Sequence, residues 1–148
     1  MEVVRRHDPA AVERILHGLP EWFGVESAIA AYVADASRLV SYLAVDDREV
    51  VGVVLLAEHF LRSREVHLIA VSAARRGTGV GGALLDEVEG DLRREGVEML
   101  EVHTVGPSYD DVHYEQTRAF YAGRRFVAIH EFDKIDWDGP TLVLVKAL

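Results

Sequence analysis

Gly77, Gly79, Gly81 and Gly82 crowd the point where an amphipathic helix begins, just after the β-branched apolar run Glu65–Val71. The first N–H groups of a helix have no acceptor within it, and the helix dipole adds partial positive charge at that end. Glycine removes the side chains that hold a ligand away from those donors. The chemistry on offer is phosphate binding. Spacing tests two common forms of it. A Walker-type nucleotide loop needs Gly-Lys followed by Ser or Thr, and no lysine stands in this stretch. Gly77, Gly79 and Gly82 match the dinucleotide pattern Gly-x-Gly-x-x-Gly literally. In that fold, however, the first glycine turns the chain directly out of the strand. Here Ser72–Arg76 intervene, so the match is weak.

Such a loop has to be held between a strand and a helix, and the hydrophobic pattern supplies both. Glu2–Arg6 reads as a short first strand. Asp8 followed by Pro9 marks a helix start, with an oxygen to cap and a proline at the first helical position. Val12, Ile15, Leu16 and Leu19 form its apolar face up to Pro20, and a second helix is expected from about Val25 to Ser37. Leu39–Val45, Glu49–Phe60 and Glu65–Val71 read as strands joined by short turns, hence antiparallel. The glycine loop opens a helix from Gly79 to about Glu95, with Val80, Leu84, Val88 and Leu92 on one side and Gly96 as its stop. Val97–Val105 is the next strand, and a strand–helix–strand unit of this length predicts a right-handed crossover and a parallel pair. The loop Gly106–Asp111, a helix from about Val112 to Arg124, a strand Phe126–Phe132, a turn at Asp138-Gly139-Pro140 and a strand Thr141–Lys146 complete the chain. The expected order is β-α-α-β-β-β-α-β-α-β-β. It describes an α/β (or α+β) chain that forms one domain over residues 1–148, since no linker or repeat divides it.

Composition narrows the function classes. The 148 residues are 49% hydrophobic and 28% charged, as expected of a globular domain with its own core. A formal charge of −9 argues against duplex nucleic acid as partner and suits a cationic one. No apolar run is long enough to cross a bilayer, and Met1–Arg6 carries no leader pattern. With no cysteine in the sequence, disulfides, thiolate metal sites and a cysteine nucleophile are all excluded, and a cytoplasmic location is expected. Seven histidines raise the question of a metal, yet no His-Glu-x-x-His or other ligand spacing occurs, so none is expected.

Arg76-x-x-Gly79-x-Gly81 resembles the Q/R-x-x-G-x-G/A signature of the GNAT superfamily of CoA-dependent N-acetyltransferases. Thr117–Phe126 resembles the same family's A-x-x-F-Y-x-x-x-G-F segment. The element order is that of the GNAT fold, a mixed central sheet of about seven strands flanked by helices. The resemblance runs from Glu65 to Phe126, and more loosely over Leu19–Gly24 and Leu144–Leu148.

It implies acetyl-CoA as co-substrate and direct attack by an amine in a ternary complex. Amides of Gly77, Thr78, Gly79, Val80, Gly81 and Gly82 would hold the pyrophosphate, with Arg76 adding charge. Backbone groups of Ile69, Ala70 and Val71 would pair with pantetheine where the fourth and fifth strands splay, and Tyr114 and Thr117 would reach CoA from the last helix. Tyr121 would stand beside the sulfur and protonate the departing thiolate, since a phenol of pKa about 10 keeps its proton at neutral pH. Glu65, in the family's E-h-x-h-x-A-h register, is the candidate base, because an amine of lysine-like pKa about 10.4 arrives protonated. By residue type alone Tyr121 is equally a packed core tyrosine and Glu65 a solvated strand-start glutamate. Glu58 is the alternate base. His67 shares the face of Glu65 by strand alternation and either relays a proton or packs, while His59 and His103 belong to neighbouring strands.

The acceptor is expected to be a small-molecule or lysine-type amine bordered by Trp22, Phe23, Tyr32 and the loop Ser108–Asp111. Trp22, Glu58, His67 and Tyr109 are its contact residues in this reading, and a homodimer is compatible with it. Arg125 departs from the family pattern, which has glycine there. If that residue needs positive φ, arginine costs roughly 1 kcal/mol. If Gly123 takes the left-handed position instead, the helix end and Tyr121 shift. Two other readings stay open: a non-catalytic acyl-CoA-binding module of the same fold, and a dinucleotide-binding protein.

Overall fold

The computed structural model describes residues 1–148. The Asp8–Pro9 signal starts a helix as expected: the Asp8 carboxylate accepts from the Ala11 N–H at 3.0 Å, with Pro9 in the first turn. In chain order the elements are β1 (Glu2–Arg5), α1 (Pro9–His17), α2 (Glu26–Asp35), β2 (Val40–Asp46), β3 (Glu49–Ala57), β4 (Ser63–Val71), α3 (Val80–Arg94), β5 (Met99–Val105), α4 (Val112–Gly123), β6 (Val127–Asp133) and β7 (Pro140–Ala147). A single turn of 3-10 helix, Ala73–Arg75, lies between β4 and the glycine loop. The expected order holds, with ends moved by a few residues. The third strand stops at Ala57 rather than Phe60. Val97 is drawn into the stop of α3, its N–H bonding the Leu92 carbonyl at 2.9 Å.

One seven-stranded sheet runs in the order β1-β2-β3-β4-β5-β7-β6. Every neighbouring pair is antiparallel except β4 and β5, which α3 connects as a parallel pair. A dinucleotide-binding fold alternates strand and helix around a parallel sheet from its first strand. The antiparallel β1–β4 run rules that reading out. The parallel pairing is short, from Ser63 opposite Met99 to Val66 opposite Val102. Beyond it β4 stays paired to β3 as far as Val71, and β5 to β7 as far as Val105, so the two strands part. No helix is long and apolar enough to cross a membrane.

Two cores sandwich the sheet. On one face Val80, Leu84, Leu85, Val88 and Leu92 of α3 pack with Tyr121 and Phe126. On the other, Val12, Ile15, Leu16 and Leu19 from the α1 region and Ile29 of α2 pack with Val53 and Leu55. A bulge in β4 sets which residue faces which core. The β3–β4 register steps from Leu55 opposite Leu68 to Leu56 opposite Val66, leaving His67 as the extra residue. Val66 therefore joins the α3 core, Leu68 and Ala70 join the α1/α2 core, and Ile69 and Val71 turn back towards α3. Uninterrupted alternation would have kept Glu65, His67, Ile69 and Val71 on one face.

Candidate active site

The β4–β5 gap opens into a cavity of about 1080 Å³ that reaches from the N-terminus of α3 to α2, α4 and the β6–β7 turn. At its first end Gly79 is the N-cap of α3 with φ +91°, a backbone conformation that a Cβ disfavours, and no side chain caps the helix. The N–H groups of the first turn are thus left without a side-chain acceptor. Gly81 serves a different purpose: a Cβ there would lie 3.2 Å from Cζ of Phe120, so the absent side chain lets α4 close on α3. The two arginines before the loop separate. Arg75 pairs with Asp46, while the Arg76 guanidinium lies 3.9 Å over the ring of Trp22.

Trp22 itself is tied to α4. Its indole N–H donates to Thr117 Oγ1 at 3.2 Å and to the His113 carbonyl at 3.4 Å, and the Tyr114 hydroxyl donates to the Trp22 carbonyl at 2.9 Å. Burial, with the nearby Asp111 charge, pushes the Tyr114 phenol up to about 12. Arg76, Tyr114 and Thr117, expected to contact CoA, and Trp22, expected to border the acceptor, form one strap across the cavity wall. In this arrangement the Tyr114 and Thr117 hydroxyls are engaged with the strap.

Tyr121 lines the same cavity at 3% exposure, its ring 5.5 Å from those of Phe120 and Phe126. Its hydroxyl makes no hydrogen bond within the protein. Burial raises the phenol pKa, with a smaller contribution from Tyr32, so the group is neutral and holds its proton. The register of this helix end is settled by Arg125, which takes the left-handed conformation at φ +68°, while Gly123 stays helical. The Phe126 N–H closes the helix on the Tyr121 carbonyl at 3.0 Å.

The far end of the cavity is acidic. Glu65 Oε1 meets His59 Nε2 at 2.7 Å, and Oε2 has only His103 Nδ1 nearby, at 3.9 Å. His67, placed by the bulge, bonds Asp35 Oδ2 at 2.8 Å and lies against Tyr32 with ring centroids 5.4 Å apart. Burial alone would raise the Asp35 pKa, but hydrogen bonds from His67 and Arg38 hold it below the usual carboxylate range. His103 bonds Asp136 at 2.8 Å through Nδ1 and Glu101 at 2.7 Å through Nε2. Burial lowers its pKa, and the two carboxylates outweigh burial and raise it. Tyr32 registers the field of this end: burial raises its pKa first, then the charges of Asp136, Asp35 and Glu65. Each imidazole here is turned onto a carboxylate, and no group of three or more side chains is arranged to hold a metal ion.

The cavity thus brings together Trp22, Glu65, His67, Ile69, Ala70, Val71, Arg76, Gly77, Gly79, Val80, Gly81, Gly82, Tyr114, Thr117 and Tyr121. Three expected residues stay outside it. Glu58 follows the end of β3, where the chain leaves the sheet, and it pairs on the exposed surface with Arg64 at 3.4 Å. The Thr78 hydroxyl turns back onto the Arg75 carbonyl at 2.6 Å. Tyr109 is exposed at the rim, where it stacks edge-on against Trp137, itself a cavity residue, at 5.4 Å. Sequence reading missed Asp35, Asp136 and Thr141. Asp35 had a signal, since it follows Tyr32 by three residues on a helix and so shares its face. Asp136 had none, because a turn between edge strands leaves no periodic trace. Thr141 is buried on the cavity wall with its hydroxyl unpartnered.

A splayed parallel pair in an otherwise antiparallel sheet, with an uncapped glycine-rich helix start beside the gap, is the mixed seven-stranded architecture expected from the sequence resemblance. The acetyltransferase (GNAT) family model matches residues 11–124, and the chain belongs to that family. Solved structures share the fold. A GNAT-family protein from Desulfovibrio desulfuricans superposes with a TM-score of 0.86 at 20% identity, over 99% of this chain and 98% of the other. The aminoglycoside 6'-N-acetyltransferase from Enterococcus faecium gives 0.75 at 16% identity, over 99% and 97%. A GNAT-family acetyltransferase from Elizabethkingia anophelis with acetyl-CoA bound gives 0.72 at 17%, over 99% and 97%. No curated protein sequence matches the chain.

Proposed function

We propose that the protein moves an acetyl group from acetyl-CoA to a primary amine by direct attack in a ternary complex. One observation carries this reading: a single cavity has the uncapped N-terminus of α3 at one end and the carboxylates Glu65, Asp35 and Asp136 at the other, with an unpartnered Tyr121 hydroxyl on its wall. The glycine cradle fits a pyrophosphate, since its N–H donors have no side-chain acceptor and the space beside Gly77 and Gly79 is open. Acetyl-CoA, when bound, supplies an activated acyl group and a thiolate that can leave. Backbone groups of β4 beyond Val66, on the side where β5 has parted, supply donors for pantetheine and for the acyl oxygen. Glu65 takes the proton from the arriving ammonium, on Oε2, which no hydrogen bond occupies. Tyr121 donates towards the departing sulfur.

Three carboxylates around Tyr32 favour a cationic acceptor, of small-molecule or lysine type. The test supplies acetyl-CoA with a panel of primary amines, following thiol release and the mass of the acetylated product. Acetylated amine supports the proposal, and Glu65→Gln should then lose most rate at neutral pH and less at high pH, where free amine is abundant. CoA binding without turnover on any amine would favour a non-catalytic acyl-CoA-binding module instead.

A further inference from the structure

Transfer from a thioester to an ammonium ion leaves an amide, a thiol and one proton that must reach solvent. Of the two protons the nitrogen gives up, one ends on sulfur and the other has to leave the site. The Glu65 side chain is only 15% exposed and faces a cavity that substrates fill, so the removed proton needs another way out. His59 stands where such a way would begin. It lies two residues past the end of β3, and the hairpin register, with Ala57 opposite Glu65, brings its ring beside the carboxylate. Nε2 is 2.7 Å from Glu65 Oε1, the ring is 57% exposed, and His59 does not line the cavity. One end of the pair therefore faces the site and the other faces water.

We propose that His59 is the proton exit of the site, taking from Glu65 the proton removed from the amine and handing it to solvent. This rests on the reading of Glu65 as base. In the step, the ammonium N–H bond breaks and a carboxyl O–H forms on Glu65. In the resting pair the ionised Glu65 accepts from the Nε2–H of a neutral His59. Once Glu65 is protonated, the exposed ring exchanges through solvent to its Nδ1–H tautomer, and the carboxyl group turns its O–H onto the freed Nε2 lone pair. The proton passes to Nε2, and the imidazolium gives up its Nδ1 proton to water. That leaves the Nε2–H tautomer bonded to ionised Glu65, the state from which the cycle began. His59 is a relay and touches no substrate.

The other imidazoles near Glu65 are unsuited to this role. His103 is farther, at 3.9 Å from Oε2, and both of its nitrogens already face carboxylates, Asp136 and Glu101. Those partners favour its protonated form, which has no lone pair to offer. His67 is bonded to Asp35 on α2. No other charged or titratable side chain bonds Glu65. His59 is thus the one imidazole that both bonds Glu65 and opens to bulk water.

The experiment compares wild type, His59→Gln and His59→Ala in steady-state turnover of acetyl-CoA with an accepted amine, across a series of imidazole concentrations. Both variants should lose about tenfold or more in kcat, short of the roughly 10²- to 10⁴-fold loss of a primary acid or base. Added imidazole should restore the rate in a saturating manner, and KM for acetyl-CoA should stay near wild type. Wild type should ignore imidazole. In the protein without substrates, the ring-nitrogen resonances of His59 should move in Glu65→Gln, reporting the bond between them.

Variants that turn over at the wild-type rate, or a loss that imidazole leaves untouched, overturn the exit. If Glu65→Gln is itself fully active, the base assignment falls and the exit with it. If Glu65→Gln is impaired while the His59 variants are not, the exit alone falls.

Discussion

Tyr121→Phe separates chemistry from packing because the structure assigns them to different parts of one side chain. The ring lies tilted against Phe120 and edge-on against Phe126 and belongs to the α3-side core, and phenylalanine keeps all of that. The hydroxyl bonds nothing in the protein, so its removal breaks no internal hydrogen bond. Removing a hydroxyl that faces the cavity and bonds nothing in the protein is close to neutral, within about 1 kcal/mol. For a chain of this size that is a melting shift of no more than about 2–4 °C. If the hydroxyl protonates the leaving thiolate, the acetyl-transfer rate should nevertheless fall by roughly one to three orders of magnitude. CoA affinity should hold, since in the proposed function the glycine loop supplies most of that binding.

The assay is single-turnover transfer to an accepted amine, run beside CoA titration and thermal unfolding of both proteins. Near-wild-type transfer would mean that the thiolate leaves unassisted. A matched loss of affinity and rate, or a melting point lowered by well over 4 °C, would refute the reasoning by showing that the hydroxyl is a binding or packing group. Alkaline pH adds a check. Burial raises the Tyr121 pKa above its unfolded value. The associated stability is fully present below the unfolded pKa of about 10 and is lost as pH rises through the folded one. Above about pH 10 the phenylalanine variant should therefore lose less stability than wild type.

Two further outcomes follow from local geometry. Arg125 holds φ +68° and its side chain makes no ion pair, so Arg125→Gly should stabilise the fold by about 1 kcal/mol, read as a melting point up by about 2–4 °C; an unchanged or lowered value would show that strain there is negligible. His103 has a raised pKa, so its pairing with Asp136 contributes most below about pH 6.5 and fades as pH rises through the folded value. Asp136→Asn should accordingly destabilise more at pH 6 than at pH 9 in denaturant titrations, and an equal loss at both would mean that the contact does not depend on imidazole charge.

Local signals made much of this molecule legible before any fold was known. Asp8 with Pro9, the four-residue spacing from Val80 to Leu92 and Gly96 all act within one or two helical turns, and each appears where expected. The glycine loop was legible for the same reason, since backbone freedom and bare N–H donors belong to the residues themselves. What alternation could not supply was the bulge at His67, which depends on how β3 and β4 pair across the sheet. That one extra residue keeps Glu65 and His67 on the α1/α2 face while Ile69 and Val71 turn to α3.

Tertiary structure also decided who meets whom. Arg76 reads as a phosphate ligand from its place in a motif, yet Trp22 lies 54 positions away in the chain and only packing brings its ring beneath the guanidinium. Glu58, two residues before Phe60 in an apolar run, read as a strand residue; the chain leaves the sheet at Ala57 and carries it out to Arg64. Asp35, His103 and Asp136 gather at the acidic end of the cavity from α2, β5 and the β6–β7 turn. The sequence by itself determined the elements, the glycine-rich helix start and the family, because those depend on short-range pattern. The membership of the acidic end, its charge and the contact of His59 with Glu65 were decided only when separate segments of the chain folded against one another.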